Sequence, residues 1–294
     1  MKRKTIICLL TIFMLTCSFA FASCGGNSDK AFDSSKNITV VAREAASGTK
    51  SAFMELLGLK GKKDVSGVIV CTGTAAVLVK VKTNPYAIGY DSLGYVTDDV
   101  KIVKVNGIMP TVENIKSGEY KISRPLSIVY KESTLSLPLY NAYYRFLKSA
   151  EAQAIIAENG YISSLDNTAN YNTVADLSGE IKISGSTSFE PLMKKLAAKF
   201  KELQPAVTVT VGGGGSGTGY INAQGGISDF GMISETFTNS KAPDCVNYVV
   251  ALDGIAVIVN KSNPIESLTT EQLKNIYDCD AGENAITKWN MLGD

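Results

Sequence analysis

The chain has 294 residues, 45% of them hydrophobic and 19% charged, enough for two lobes with cores of their own and too much for one small module. Its formal net charge is +1, but Lys2, Arg3 and Lys4 stand in a leader without acids; removing those three of the 29 bases leaves 26 against 28 acids, so no nucleic-acid partner is expected. There is no histidine, which removes Ser-His-Asp and Cys-His catalysis and most zinc sites, so neither an enzyme nor a metal or other cofactor is expected.

In chain order, residues 1–23 come first: a basic start, an almost wholly apolar run from Thr5 to Phe21, and small residues before Cys24. This pattern describes a secretory signal. Small residues ending in a Cys resemble a bacterial lipoprotein signal, with Phe21 standing where Leu is usual. Acyl chains on Cys24 would then hold the protein at the extracytoplasmic face of the membrane; a plain signal peptide or an uncleaved anchor is the alternative. Residues 24–36, rich in Gly, Ser, Asn and Asp, read as a flexible tether.

Beyond the tether, strand-like and helix-like stretches alternate. Ile38 to Ala42, Val68 to Cys71, Ala87 to Tyr90 and Leu126 to Tyr130 read as strands, and Ser47-Gly48-Thr49 opens a helix through Phe53 and Leu57. Leu139 to Glu158 reads as one helix. Ile181 to Ser184 is a strand, and Phe189, Leu192, Met193, Leu196, Phe200 and Leu203 have the spacing of an amphipathic helix. Val207 to Val211 and Gly254 to Asn260 read as strands, and Thr269 and Gln272 stand at capping-box spacing before a last helix. The alternation predicts an α/β fold with mainly parallel sheets. Of the six cysteines, Cys71, Cys245 and Cys279 lie beyond the tether, and one disulfide with a free thiol or three free thiols are both open.

Three segments share one design, a strand, then small hydroxyl and glycine residues, then a helix. They are Arg43 to Thr49, Gly185 to Ser188 and Gly212 to Gly219. Such turns expose backbone N–H groups at the positive end of a helix, glycine admits close approach, and Ser or Thr hydroxyls add donors. Any one of them could be an ordinary N-cap. Together, with Arg43 beside one, they predict a cradle for an oxyanion. The Gly-rich run lacks the Lys of a nucleotide P-loop.

Ile183 to Ser188, Val211 to Gly219, Ser228-Asp229-Phe230-Gly231 and Asp253 to Asn260 resemble, in that order, the amino-terminal half of the phosphate-binding proteins of bacterial phosphate ABC importers. Val40 to Thr49, Ala87 to Tyr90, Asn106-Gly107 and Ser123 to Leu126 resemble that family's carboxy-terminal half, found here upstream. The resemblance covers roughly residues 37–294 and implies a two-lobed periplasmic-binding-protein-like fold with two crossing hinge strands, in circularly permuted order; a piece of a tandem duplication is the rival account. It implies a continuous lobe over 123–258 and a split lobe over 37–122 and 259–294. Ala46 stands where the family often has Gly, and Glu235 where it often has Arg.

The resemblance further implies a monomer that captures inorganic phosphate and delivers it to a membrane permease. Thr187, Ser188 and Ser216 would donate from one lobe and Arg43, Ser47, Gly48 and Thr49 from the other. Asp229 would accept the proton that phosphate carries and sulfate lacks, a discrimination worth roughly 1–3 kcal/mol. Another tetrahedral oxyanion, or a sensory or degenerate lipoprotein with no transport role, stays open as an alternative.

Overall fold

The structure, a computed structural model, describes residues 31–166 and 168–293. The signal peptide, Cys24 and most of the tether lie outside the described residues. No described helix is long and apolar enough to cross a membrane.

The first part of the chain runs β1 (Thr39–Arg43), α1 (Gly48–Leu56), β2 (Ile69–Cys71), α2 (Thr74–Thr83), β3 (Ala87–Ser92), β4 (Lys101–Val105) and α3 (Val112–Lys116). It continues through β5 (Ser123–Lys131), α4 (Pro138–Leu147), α5 (Ala150–Glu158), β6 (Ile162–Ser163), β7 (Gly179–Gly185), α6 (Glu190–Leu203), β8 (Val207–Gly214) and α7 (Ser216–Gly225). It ends with β9 (Phe230–Ile233), β10 (Cys245–Val259), β11 (Ser267–Leu268) and α8 (Thr270–Tyr277). The main path of strands is β2-β1-β3-β10-β5-β9-β7-β8.

Two bodies emerge from this order. In one, β1 pairs in parallel with β2 and β3; in the other, β7 pairs in parallel with β8 and β9. The sheet is mixed rather than mainly parallel, because β10 runs antiparallel to β3, β4, β5 and β6. Side chains alternate between the faces of each strand. Val40 and Ala42 therefore enter one core with Phe53, Tyr90 and Trp289, while Val41 enters another with Val77 and Val81. The second body buries Leu126, Ile128, Tyr143, Phe146, Phe189, Phe200 and Phe230 together.

β10 serves both bodies. Cys245–Gly254 pairs with β5, whereas Ile255–Val259 pairs with β3 and β4. The strand changes cores just after Ala251: Val250 and Ala251 pack in the second body, Leu252, Ile255 and Val257 in the first. A Cβ on Gly254 would come within 2.5 Å of Ile115 Cδ1, so a larger residue at the crossing would have to displace the end of that side chain. Residues 255–258, which the sequence assigns to the continuous lobe, thus pack with the split one.

Two further differences are local. The single helix expected over Leu139 to Glu158 is two, because Ser149 leaves the helical region and its hydroxyl accepts from Ala152 N to start α5. The capping box at Thr269 and Gln272 is present. The segments near both ends lie side by side: Ile38 N donates to Thr287 O at 2.8 Å, Asn290 N to Ser34 O at 2.8 Å, and Phe32 packs edge-on against Trp289.

Candidate functional site

Each body sends helix starts toward the other. In the first, β1 ends at Arg43, and Ser47 caps α1, its Oγ accepting from Lys50 N at 3.3 Å. Ala46 needs no left-handed backbone, since among the described non-glycine residues only Asn106 and Asp176 have positive φ. In the second body β7 ends at Gly185, with φ 138° and its Cα so close to β9 that a Cβ would meet Met232 O at 2.3 Å. Ser186 to Phe189 then turn into α6, Ser186 Oγ accepting from Phe189 N at 3.3 Å. Gly215, with φ 89°, leads into α7 at Ser216.

These starts meet. Arg43 Nη2 donates to Thr187 Oγ1 at 2.9 Å, and Thr49 Oγ1 donates to Ser188 Oγ at 3.3 Å. The backbone joins across as well, Gly217 N donating to Ala46 O at 3.0 Å. Gly48 packs so closely on Ser216 and Ser234 that a Cβ there would lie 2.2 Å from Ser216 Oγ. Arg43, Ser47, Gly48, Thr49, Thr187, Ser188 and Ser216 are therefore neighbours in one cluster between the bodies, buried apart from a half-buried Thr187. Crevices flank it on two sides, one of about 380 Å³ past Thr74 and Thr187, the other of about 310 Å³ past Ser47 and Gly217.

Asp229 is not in this cluster. Its Oδ2 accepts from Lys182 N at 2.7 Å, and its own N–H donates to Lys182 O. It stands at the entry of β9, whereas Ser234, at the exit, touches Ser186 and Ser216 through hydroxyls at 2.9 and 3.3 Å. The four residues of β9 lie between the two ends, a span of roughly 16 Å in extended chain. Asp229 therefore stands outside the cluster, contrary to the selectivity role expected of it.

Four residues join the cluster that the sequence did not single out for contact. Ser186 and Ser234 are two. Thr74, at the start of α2, accepts from Arg43 Nη1 at 3.0 Å and lies 3.1 Å from Thr187 Oγ1. Its segment Thr72-Gly73-Thr74 after β2 repeats the strand, glycine-and-hydroxyl, helix design, a signal the sequence did contain. The fourth is Arg124, buried on β5, whose Nη2 reaches Ser188 Oγ at 3.2 Å and Asp253 Oδ2 at 2.8 Å.

The charges are arranged in pairs. Arg43 is held bidentately by Glu44, Nε to Oε2 at 3.0 Å and Nη2 to Oε1 at 2.8 Å. Burial works to raise the Glu44 pKa, but hydrogen bonding and charge from Arg43 outweigh it and hold the carboxyl below its ordinary value. With Thr74 and Thr187 also engaged, four of the five guanidinium N–H groups have partners among the described residues, and one on Nη1 remains. Asp91, on β3, is fully buried, and burial pushes its carboxyl up to about 8 against the pull of Ser92 N–H and both arginines. Hydroxyls, helix-start N–H groups and paired guanidinium groups are the chemistry that suits a small oxyanion. Ser and Thr oxygens accept as readily as they donate, so hydroxyls of this kind can meet a protonated anion oxygen without a dedicated acid.

Against known proteins, the family model described as a PBP superfamily domain matches residues 28–151 and 170–294. The chain is 36% identical over 301 residues to the phosphate-binding protein PstS 2 of Streptococcus agalactiae, with 99% of each chain covered. It is 32% identical over 300 residues to the PstS 2 of Streptococcus pneumoniae, covering 99% of this chain and 100% of that one. The crystal structure of a phosphate ABC transporter, phosphate-binding protein from Streptococcus pneumoniae superposes with a TM-score of 0.70 at 31% identity, covering 87% of this chain and 100% of that one. Because these matches run end to end, the order of the halves is the same in the streptococcal proteins.

Proposed function

The chain belongs to the phosphate-binding proteins of the PBP superfamily, and from that premise we propose that it captures inorganic phosphate between its two bodies and hands it to the permease of an ABC importer. The protein acts by binding, outside the cytoplasm, and not by catalysis. The observation that carries the reading is the convergence of Arg43, Ser47, Gly48 and Thr49 from one body with Thr187, Ser188 and Ser216 from the other. Thr74, Ser186 and Ser234 complete the set of hydroxyls.

Arg43 supplies the opposite charge and the one Nη1 N–H that Glu44, Thr74 and Thr187 leave over; the N–H groups at the starts of α1 and α7 supply dipoles without a counter-ion. Closure of the bodies around the anion is a hinge motion about β5 and β10. The side-by-side lie of segments 34–38 and 287–290 supports the permuted order, since the usual family connection would run there.

Calorimetry on the full chain, purified in detergent, tests this. Phosphate is expected to bind at about micromolar strength or tighter, roughly −8 kcal/mol, with sulfate weaker. No binding of phosphate, or sulfate binding at least as tightly, would overturn it.

The same reading makes the protein a monomer anchored by acyl chains on Cys24 and spaced from the membrane by residues 25–36. Incorporation of labelled fatty acid, lost in Cys24→Ala together with membrane association, is the expected result; an unlabelled wild-type protein would sink the anchor.

A further inference from the structure

We infer that Arg124 is a positioning residue for anion binding, acting through Ser188, whose hydroxyl it turns into an obligate donor toward the cleft. The inference rests on the phosphate reading above.

Arg124 stands opposite Asp253 in the ladder between the two crossing strands. Both side chains are fully buried, and Arg124 Nε and Nη2 grip Asp253 Oδ2 at 3.2 and 2.8 Å. The guanidinium then reaches forward, Nη1 to Ser234 O and Nη2 to Ser188 Oγ, each at 3.2 Å. A guanidinium has no acceptor, so Ser188 must turn a lone pair to it. Thr49 Oγ1 donates to the same oxygen from the other body. With both lone pairs taken, the single Ser188 O–H has only outward directions left, to Ser186 Oγ at 3.1 Å or to an anion oxygen.

Ser186 Oγ already accepts from Phe189 N and donates to Ser234 Oγ. The chain of hydroxyls from Ser188 through Ser186 to Ser234 thus has a direction, and it originates at Arg124. Folding gives no strong reason for this arrangement. A buried ion pair contributes little net stability compared with apolar replacements, and Asp253 Oδ1 has no hydrogen-bond partner among the described residues.

The test is a double-mutant cycle on phosphate affinity, measured by calorimetry on the full chain in detergent, with Arg124→Lys, Ser188→Ala and the pair. Lysine keeps the charge but cannot span Asp253, Ser188 and Ser234 together. Arg124→Lys is expected to weaken phosphate binding about tenfold or more. In the Ser188→Ala background the same change should cost no more than about threefold, the remainder passing through Ser234. A purely structural role would give equal losses in both backgrounds, and that result, or an unchanged affinity in Arg124→Lys, overturns the inference. If Arg124→Lys does not fold, Arg124→Gln with Asp253→Asn removes both charges at once and enters the same cycle with the same expectations. Failure of the unsubstituted protein to bind phosphate is a separate outcome, which overturns the phosphate reading and this inference with it.

Discussion

Arg43 and Thr187 stand 144 positions apart in the chain and 2.9 Å apart in the fold, joined by one hydrogen bond from Nη2 to Oγ1. The bond links a strand end of one body to a helix approach of the other, and the same guanidinium holds Glu44 and Thr74. A lysine at 43 offers a point charge and cannot make this set of planar contacts. Arg43→Lys should therefore lose about 10- to 100-fold in phosphate affinity, and Arg43→Met should bind no phosphate measurable by calorimetry. An Arg43→Met protein that binds as the wild type would remove Arg43 from the site.

Gly48 separates closure from folding. A methyl group there would lie 2.2 Å from Ser216 Oγ and 2.9 Å from Ser216 Cβ, so turning the hydroxyl alone gives no relief. The obstacle belongs to the opposite body, and alanine suits the first turn of α1 on intrinsic propensity. Gly48→Ala should leave the ligand-free melting temperature within a few degrees of wild type, a change of about 1 kcal/mol or less. Phosphate should then raise the melting temperature much less than in wild type, because bound ligand stabilises only in proportion to its affinity. A thermal-shift titration decides it, and an undiminished phosphate shift would mean that the bodies close differently.

Much of this arrangement was legible locally. Glycine, serine and threonine between a strand and a helix mark the approach to a helix start, which is why the places of Ser47, Thr187 and Ser216 at or just ahead of the starts of α1, α6 and α7 are legible in the sequence. Thr74 is harder to place from sequence, because α2 carries Lys80 and Lys82 among its apolar residues and shows no clear stripe. β10 was read only from Gly254 onward, since its first two-thirds mixes Asn247 and Asp253 with apolar positions. Arg124 could not be assigned a role, because its partner Asp253 is 129 residues away.

Asp229 illustrates the limit differently. Its motif marks a strand but not which end of that strand faces the partner body. β9 lies parallel to β7, with Ile183 beside Phe230 and Gly185 beside Met232. The ends that reach the cluster are therefore those after Gly185 and after Ile233, and Asp229 precedes the strand. Asp229→Asn should accordingly leave both phosphate affinity and the preference over sulfate within about twofold of wild type, well under 1.4 kcal/mol. Competition calorimetry with the two anions checks this, and lost discrimination in the variant would place Asp229 in the selectivity of the site.

Asp91 makes the stability of the fold depend on pH. Its Oδ1 accepts from Ser92 N at 2.8 Å, while Oδ2 has no hydrogen-bond partner among the described residues. The charges around it are Arg43 on β1, Arg124 on β5 and Asp253 on β10, and burial outweighs the arginines to bring the carboxyl up to about 8. In the unfolded chain an aspartate loses its proton near pH 3.9. Between roughly pH 4 and pH 8 the folded protein therefore holds a proton that the unfolded chain has released, and stability falls as pH rises, by at most about 1.4 kcal/mol per unit. Below that window the residue costs nothing, and above it the penalty is constant. Asp91→Asn keeps the acceptor for Ser92 N–H and removes the titration. The melting temperature of the variant minus that of wild type should grow as the buffer is taken from pH 5 to pH 8 and level off beyond. Asp253, whose carboxyl burial also raises, is common to both proteins. Parallel curves across that range would show that Asp91 does not hold its proton in the folded state.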